Sequence, residues 1–300
     1  MLFGVTGALM LLLDNSSAKA FEWLENEDIV KGRIVGIETP ASSGTGTLIG
    51  KKGNTYTILT AGHVIPSLQK GDEYYAYSLS SNKRYRIISL DHPLGNKVDI
   101  AVATFNSPED LKITLINRFY DWNIRATDSK AKYWGVHAVQ GLVSGVSLPS
   151  GAVTVPITRY DEFDIGLRAF GNKDGYEMLY KASTVPGMSG GPVLGKRYIS
   201  CDSPTTKFNQ DKDGHEMLYK DAKSIVNMNR MVADNAIFGF LTLLGIHGRS
   251  EEYHSGGRSG LSLGIPIDLI KDYLTDNSDI LGIPVTEKDI EKTIKSQYCS

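Results

Sequence analysis

The 300-residue chain has only two cysteines, Cys201 and Cys299, so it permits at most one disulfide and is no disulfide-stapled scaffold. Sequence leaves open whether the two pair, since pairing needs proximity in space. Charge of either sign is nearly balanced, with a formal net charge of −2. No basic stripe stands ready for a phosphate backbone, which excludes a nucleic-acid partner on composition. No run of like charges marks a solvated tail or an anionic-membrane patch. Long apolar runs are also missing: the longest, Leu2 to Leu13, falls short of the roughly 20 residues that a spanning helix needs. A stable membrane anchor is therefore not expected.

That first run has another use. A polar stretch comes after it and ends in Ala18-Lys19-Ala20, a small-x-small cleavage signature. Residues 1–20 read as a signal peptide cut after Ala20, for a secreted or periplasmic product. No Lys or Arg precedes the run, a departure from the usual pattern; a buried helix or an uncleaved anchor is the competing reading.

From about residue 33 onward the chain consists mostly of short β-type runs broken by turns. Arg33 to Glu38, Thr45 to Ile49, Thr55 to Leu59, Tyr74 to Leu79, Tyr85 to Leu90 and Ile100 to Phe105 alternate or cluster β-branched and aromatic residues. Lys52-Gly53-Asn54 reads as a hairpin turn. The second half repeats the theme over Trp134 to Ser144, Ala152 to Tyr160, Phe163 to Ala169, Glu177 to Ala182 and Phe238 to His247. Such spacing predicts an all-β barrel or sandwich. A polar region near 117–132 interrupts the rhythm and reads as a linker. Helix is expected over Pro266 to Leu274, where apolar residues fall three and four apart, and over Thr286 to Ile294. One internal echo, NKDGYEMLYKA from Asn172 and DKDGHEMLYKDA from Asp211, is too short for a repeat fold and reads as a duplication within an insertion over about 196–236. Its Asn209, Asp211, Asp213 and Gly214 mimic a calcium loop, but Lys220 stands where the bidentate glutamate belongs. His247 and His254 lack the spacing of helix-borne zinc ligands. No metal and no cofactor are expected.

Three local strings carry chemistry: Thr60-Ala61-Gly62-His63-Val64, Val98-Asp99-Ile100-Ala101-Val102 and Gly187-Met188-Ser189-Gly190-Gly191-Pro192-Val193. Serine is a weak nucleophile unless a base lies within hydrogen-bond reach. Histidine suits that role near neutrality, and a carboxylate fixes its tautomer. Glycines flanking the serine let backbone N–H groups turn toward an oxyanion. Singly, each string has a plain reading as a core histidine, a turn aspartate or a tight loop. Jointly, in this order, they predict a triad of His63, Asp99 and Ser189, with the amides of Gly187 and Ser189 as the oxyanion hole.

The three strings resemble the signature regions of trypsin-like serine peptidases, the chymotrypsin clan, and the resemblance spans about Gly32 to Leu274. It implies two antiparallel six-stranded β-barrels, over 21–125 and 126–265, with residues 266–300 as a C-terminal helix and tail. The active site would lie between the barrels and act on protein or peptide substrates through an acyl-enzyme. Leu244 to Gly248 resembles the family strand that pairs with the substrate backbone. Arg33 to Gly36 resembles an activation site, yet Met188 occupies the place of the aspartate that would receive a freed amino terminus, so no such switch is expected. Ser183 replaces the aspartate that selects basic substrates. Thr184 and His247 resemble the residues with which glutamyl endopeptidases of the staphylococcal type bind a substrate carboxylate. Ser183, Thr184, His247 and Gly248 are therefore the expected substrate-binding residues, with a preference for Glu at the cleaved position. The competing reading is that Gly-Ile-His is common to relatives of many specificities. A peptide-binding protein without turnover is the alternative function.

Overall fold

The computed structural model describes residues 30–66, 72–116, 133–136, 141–147, 151–158, 165–168, 175–199, 238–252 and 258–284, with 289, 290, 292, 293 and 296. The expected signal peptide, both cysteines, the 117–132 linker, the second copy of the echo and His254 lie outside the described residues.

The predicted β-runs of the first half become strands. β1 (Ile34–Glu38), β2 (Ser43–Lys52), β3 (Thr55–Ala61), β4 (Tyr75–Ser78), β5 (Arg84–Asp91) and β6 (Ile100–Asn106) form a closed antiparallel barrel in the order β1-β2-β3-β6-β5-β4. Closure removes the sheet edges that would otherwise be open to pairing with another chain. The β2–β3 turn falls on Gly53 and Asn54, with Gly53 at φ 61°, where a glycine meets no steric cost. Both faces of β1, β2, β3 and β6 are covered: Val35, Ile37, Leu48, Ile58, Leu59, Ile100 and Phe105 are fully buried. Tyr56 and Tyr85 stack on Phe105 with ring centroids 5.6 Å apart.

The second half forms a separate antiparallel sheet. β8 (Tyr133–Val136), β9 (Leu142–Ser147), β10 (Gly151–Pro156), β11 (Ile165–Arg168), β12 (Met178–Tyr180), β13 (Pro192–Ile199), β14 (Phe238–Glu252) and β15 (Arg258–Pro266) run in the order β10-β9-β13-β14-β15-β12-β11-β8. A short β7 (Leu115–Ile116) joins β14 in parallel. Among the described residues β10 and β8 do not pair, so this sheet is not closed as the first is, and the expectation of two closed barrels is met only for the first. Lys196 to Ile199, expected at the start of an insertion, instead continue β13 and pair with the first residues of β14. The connection between these strands, 200–237, lies outside the described residues.

The C-terminal expectation over Pro266 to Leu274 is met with a tighter first turn. Ile267–Ile270 is 3₁₀ and leads into α1 (Lys271–Asp276). Ile267, Ile270 and Leu274, three and four apart, are its buried face. A second short helix, α2 (Ser278–Leu281), ends at Gly282 in the left-handed conformation, φ 64°. Its end returns to the first barrel: the Lys51 N–H donates to the Gly282 carbonyl at 2.9 Å, and the Thr57 hydroxyl to the Leu281 carbonyl at 2.6 Å. Each such bond contributes about 1 kcal/mol.

Candidate active site

His63 and Asp99 meet because β3 and β6 are neighbours. The register pairs Ala61 with Ile100, which sets the residue after β3 opposite the residue before β6. The Gly62 N–H donates to the Asp99 carbonyl at 3.0 Å, and β3 runs on into a 3₁₀ turn, Gly62–Val64. This turn aims two donors of His63 at one carboxylate. The backbone N–H reaches Oδ1 at 2.6 Å, and the imidazole Nδ1 reaches Oδ2 at 2.6 Å. Burial pushes the Asp99 carboxyl up, but hydrogen bonds from His63 and Tyr176 outweigh it and hold it below the ordinary carboxylate value. With Asp99 ionised, the short contact places the proton on Nδ1 and leaves Nε2 as the basic nitrogen. The His63 side chain is 46% exposed and the Asp99 side chain 16%. The imidazole thus faces solvent while its carboxylate partner is sheltered.

Ser189 lies on the loop that leads into β13. Gly187 and Gly190 both have left-handed backbones, φ 93° and 82°. A side chain at Gly190 would run into Thr60 and the Thr45 carbonyl, so glycine is required there on two counts. The first barrel grips this loop through Thr45 on β2. Its N–H donates to the Ser189 carbonyl at 2.8 Å, its hydroxyl donates to the Gly187 carbonyl at 2.7 Å, and the same hydroxyl accepts the Val146 N–H at 2.8 Å. From the other side, the Gly190 N–H donates to the His247 carbonyl at 2.7 Å, and the His247 N–H to the Gly191 carbonyl at 2.8 Å. Among the described residues, the N–H groups of Gly187 and Ser189 have no acceptor.

The serine is therefore held against the barrel that carries His63. Its hydroxyl, however, donates to the Gly248 carbonyl at 2.7 Å rather than to the imidazole. Tyr176, just before β12, links the two groups. Its hydroxyl donates to Asp99 Oδ2 and lies 3.5 Å from His63 Nδ1, and its ring covers Gly248. His63, Asp99, Tyr176, Gly248 and Ser189 thus form one continuous chain of contacts between barrel and sheet.

The expected substrate-binding residues sit on the second sheet. Ser183 is exposed on the loop after β12. The Thr184 hydroxyl is 3.2 Å from the Ser262 hydroxyl on β15. His247 is buried on β14, and its Nδ1 lies 2.6 Å from the Tyr180 hydroxyl. Burial, and secondarily the charge of His63, push His247 down to about 3, so it is neutral through the physiological range. Burial also pushes the Tyr180 hydroxyl well up, so it too is neutral.

Met188, where an activation switch would need an aspartate, is fully buried and accepts the Val185 N–H on its sulfur at 3.3 Å. Arg33 is likewise buried, immediately before the barrel's first strand. Tyr176, Thr45 and Tyr180 were not legible as site residues. Each sits in an ordinary strand-like context, and their importance comes from contacts 77, 142 and 67 positions away in the chain.

No protein-family model matches the chain, and no curated protein is significantly similar to it.

Proposed function

We propose that the protein is an exported serine endopeptidase of the trypsin-like kind, with His63, Asp99 and Ser189 as its triad. The observation that carries this reading is the two-point hydrogen bonding of His63 to Asp99, beside a glycine-flanked serine whose loop is clamped to the same barrel. The second sheet fits as the remainder of a second antiparallel barrel, with β8 and β10 as the strands left to close it.

The reaction uses these groups in sequence. A substrate strand lies along β14, and its backbone N–H takes over the Gly248 carbonyl. The Ser189 hydroxyl turns to His63 and attacks the scissile carbonyl carbon while its proton passes to Nε2. The carbonyl oxygen becomes an oxyanion and is met by the N–H groups of Gly187 and Ser189. One such donor is worth about 3–4 kcal/mol of transition-state stabilisation. Collapse breaks the C–N bond, and His63 returns its proton to the departing amine. Water then attacks the Ser189 ester, giving its proton to His63. The acid product leaves as the serine recovers its hydrogen.

At the cleaved position, Thr184 and His247 supply a hydroxyl and a neutral imidazole, and the Tyr180 hydroxyl at Nδ1 fixes the ring. Hydrogen-bond donation of this kind suits a glutamate side chain.

One observation favours a second reading, a peptide-binding protein without turnover: the Ser189 hydroxyl rests on Gly248, not on the base. A fluorophosphonate separates the two. The peptidase is labelled on Ser189 and loses label and peptide turnover together on Ser189→Ala. Folded protein that takes no label and releases no peptide fragments overturns the peptidase reading.

A further inference from the structure

Tyr176 belongs to none of the three signature strings, yet its hydroxyl enters the heart of the site. It donates to Asp99 Oδ2, the same oxygen that receives His63 Nδ1. The carboxylate thus takes three donors: the Tyr176 hydroxyl, the His63 ring and the His63 backbone N–H. Three directional bonds on two oxygens fix both the plane and the tilt of the carboxyl group, and so the line along which it holds the imidazole.

The rest of the molecule keeps this tyrosine in place. Tyr176 is 2% exposed. Gly175 before it turns through φ 77°, and a side chain there would collide with Val98, the residue before Asp99. On β14, any side chain at position 248 would collide with the Tyr176 ring, so Gly248 is glycine because the ring needs its space. The Arg249 guanidinium then covers the ring at 4.6 Å from its centroid, a cation–π contact. Among the described residues, the ionisable groups around Tyr176 include Asp99, His63 and Arg249, the neighbouring Glu177, and Tyr180 and His247 on β12 and β14.

We propose that Tyr176 is a positioning residue of the proton relay, acting through Asp99 to fix the orientation of His63, and that the glycine at 248 exists to admit it. The proposal rests on the peptidase reading for its kinetic consequence, but not for its geometry. Tyr176 comes from the sheet that carries Ser189, whereas Asp99 and His63 come from the barrel. The hydrogen bond therefore couples the docking of the two halves to the alignment of the base.

The test compares wild type with Tyr176→Phe, which deletes the hydroxyl and keeps the ring. A hydrogen bond to a charged group has the strength to change a rate about tenfold to a hundredfold. The expected result is a loss of that size in kcat with KM unchanged, and an acid limb of the kcat/KM profile moved to higher pH, because Asp99 binds its proton more readily without the tyrosine. In an Asp99→Asn background the same change should cost nothing further, as two residues acting through one contact are non-additive. A structural contribution alone would add in full. Unchanged kcat and pH limb in Tyr176→Phe, or full additivity, overturns the proposal and leaves the peptidase reading standing. If wild type neither cleaves nor takes a fluorophosphonate, the peptidase reading fails instead. The His63 Nδ1 proton resonance then decides: a shift in Tyr176→Phe upholds the coupling, and an unmoved resonance ends it.

Discussion

The Ser189 hydroxyl donates to the Gly248 carbonyl at 2.7 Å, which makes the β14 backbone its partner. That carbonyl is also where a substrate strand paired to β14 would bring an N–H. On the proposed peptidase reading, a substrate strand and the serine compete for one acceptor, and the winner decides whether the hydroxyl is free to meet His63. Ser189→Ala removes the competition and the proposed nucleophile together. It is expected to lower peptide hydrolysis by about a millionfold, as loss of a triad serine does elsewhere. Peptide affinity should hold or rise, since Gly248 is left open. Equilibrium binding of an uncleaved peptide to Ser189→Ala and wild type checks this, and weaker binding to the alanine variant would count against the competition.

Thr45 gives a second expectation. Its hydroxyl donates to the Gly187 carbonyl and accepts the Val146 N–H, and Thr45 itself is fully buried. Thr45→Val keeps the shape and removes both bonds, stranding the Val146 N–H. The expected cost is about 1–3 kcal/mol in urea unfolding. Fluorophosphonate labelling should also slow, because the held carbonyl belongs to Gly187, whose N–H is one of the two proposed oxyanion donors. Thr45→Ser should recover most of both effects. A valine variant as stable and as reactive as wild type would show that the loop is held by its other contacts.

These two expectations mark how far the sequence could be read. The barrel strands were legible because Val35, Ile37, Leu48 and Ile58 repeat with the period of a strand. His63 and Asp99 were legible because each sits at the end of such a run, in a string with few other uses. Thr45 and Tyr176 were not, since a threonine or tyrosine in a strand context reads as ordinary β-sheet material. What distinguishes them is the partner across the fold, fixed by barrel closure and by the docking of β14. Closure of the second sheet, which the resemblance implied, is not seen among the described residues, where β8 and β10 do not pair, and no local pattern encodes whether they should.

Gly36 pairs with Tyr77 across β1 and β4, and a Cβ at Gly36 would collide with the tyrosine ring. The ring thus covers backbone that the glycine leaves bare, an aromatic covering of a strand glycine. Gly36→Ala should cost about 1–3 kcal/mol through overpacking, despite alanine's better fit to a strand. Thermal unfolding of Gly36→Ala alone and with Tyr77→Ala checks it. The double variant should lose less than the two single costs combined, and strict additivity would mean that the two side-chain positions do not compete.

The last expectation concerns acid. His247 is buried against the Tyr180 hydroxyl, and its pKa is lowered to about 3, from burial first and the charge of His63 second. In the unfolded chain a histidine titrates near 6.5. Between these two values the unfolded state binds a proton that the folded state refuses, so stability rises with pH across that window. Its full contribution is present above about pH 6.5 and falls away as the pH drops toward 3. Linkage sets the upper bound on the order of 5 kcal/mol. Asp99 acts lower on the scale: held below the ordinary carboxylate value, it contributes above about pH 4 and is lost only as acid protonates it in the folded state. His247→Gln keeps an amide to meet Tyr180 and cannot titrate. Its unfolding free energy should therefore be nearly flat from pH 6.5 to 4, where wild type slopes. Parallel slopes for the two proteins would show that His247 takes up its proton while folded. The neutral imidazole proposed to receive a substrate glutamate would then be charged in mild acid.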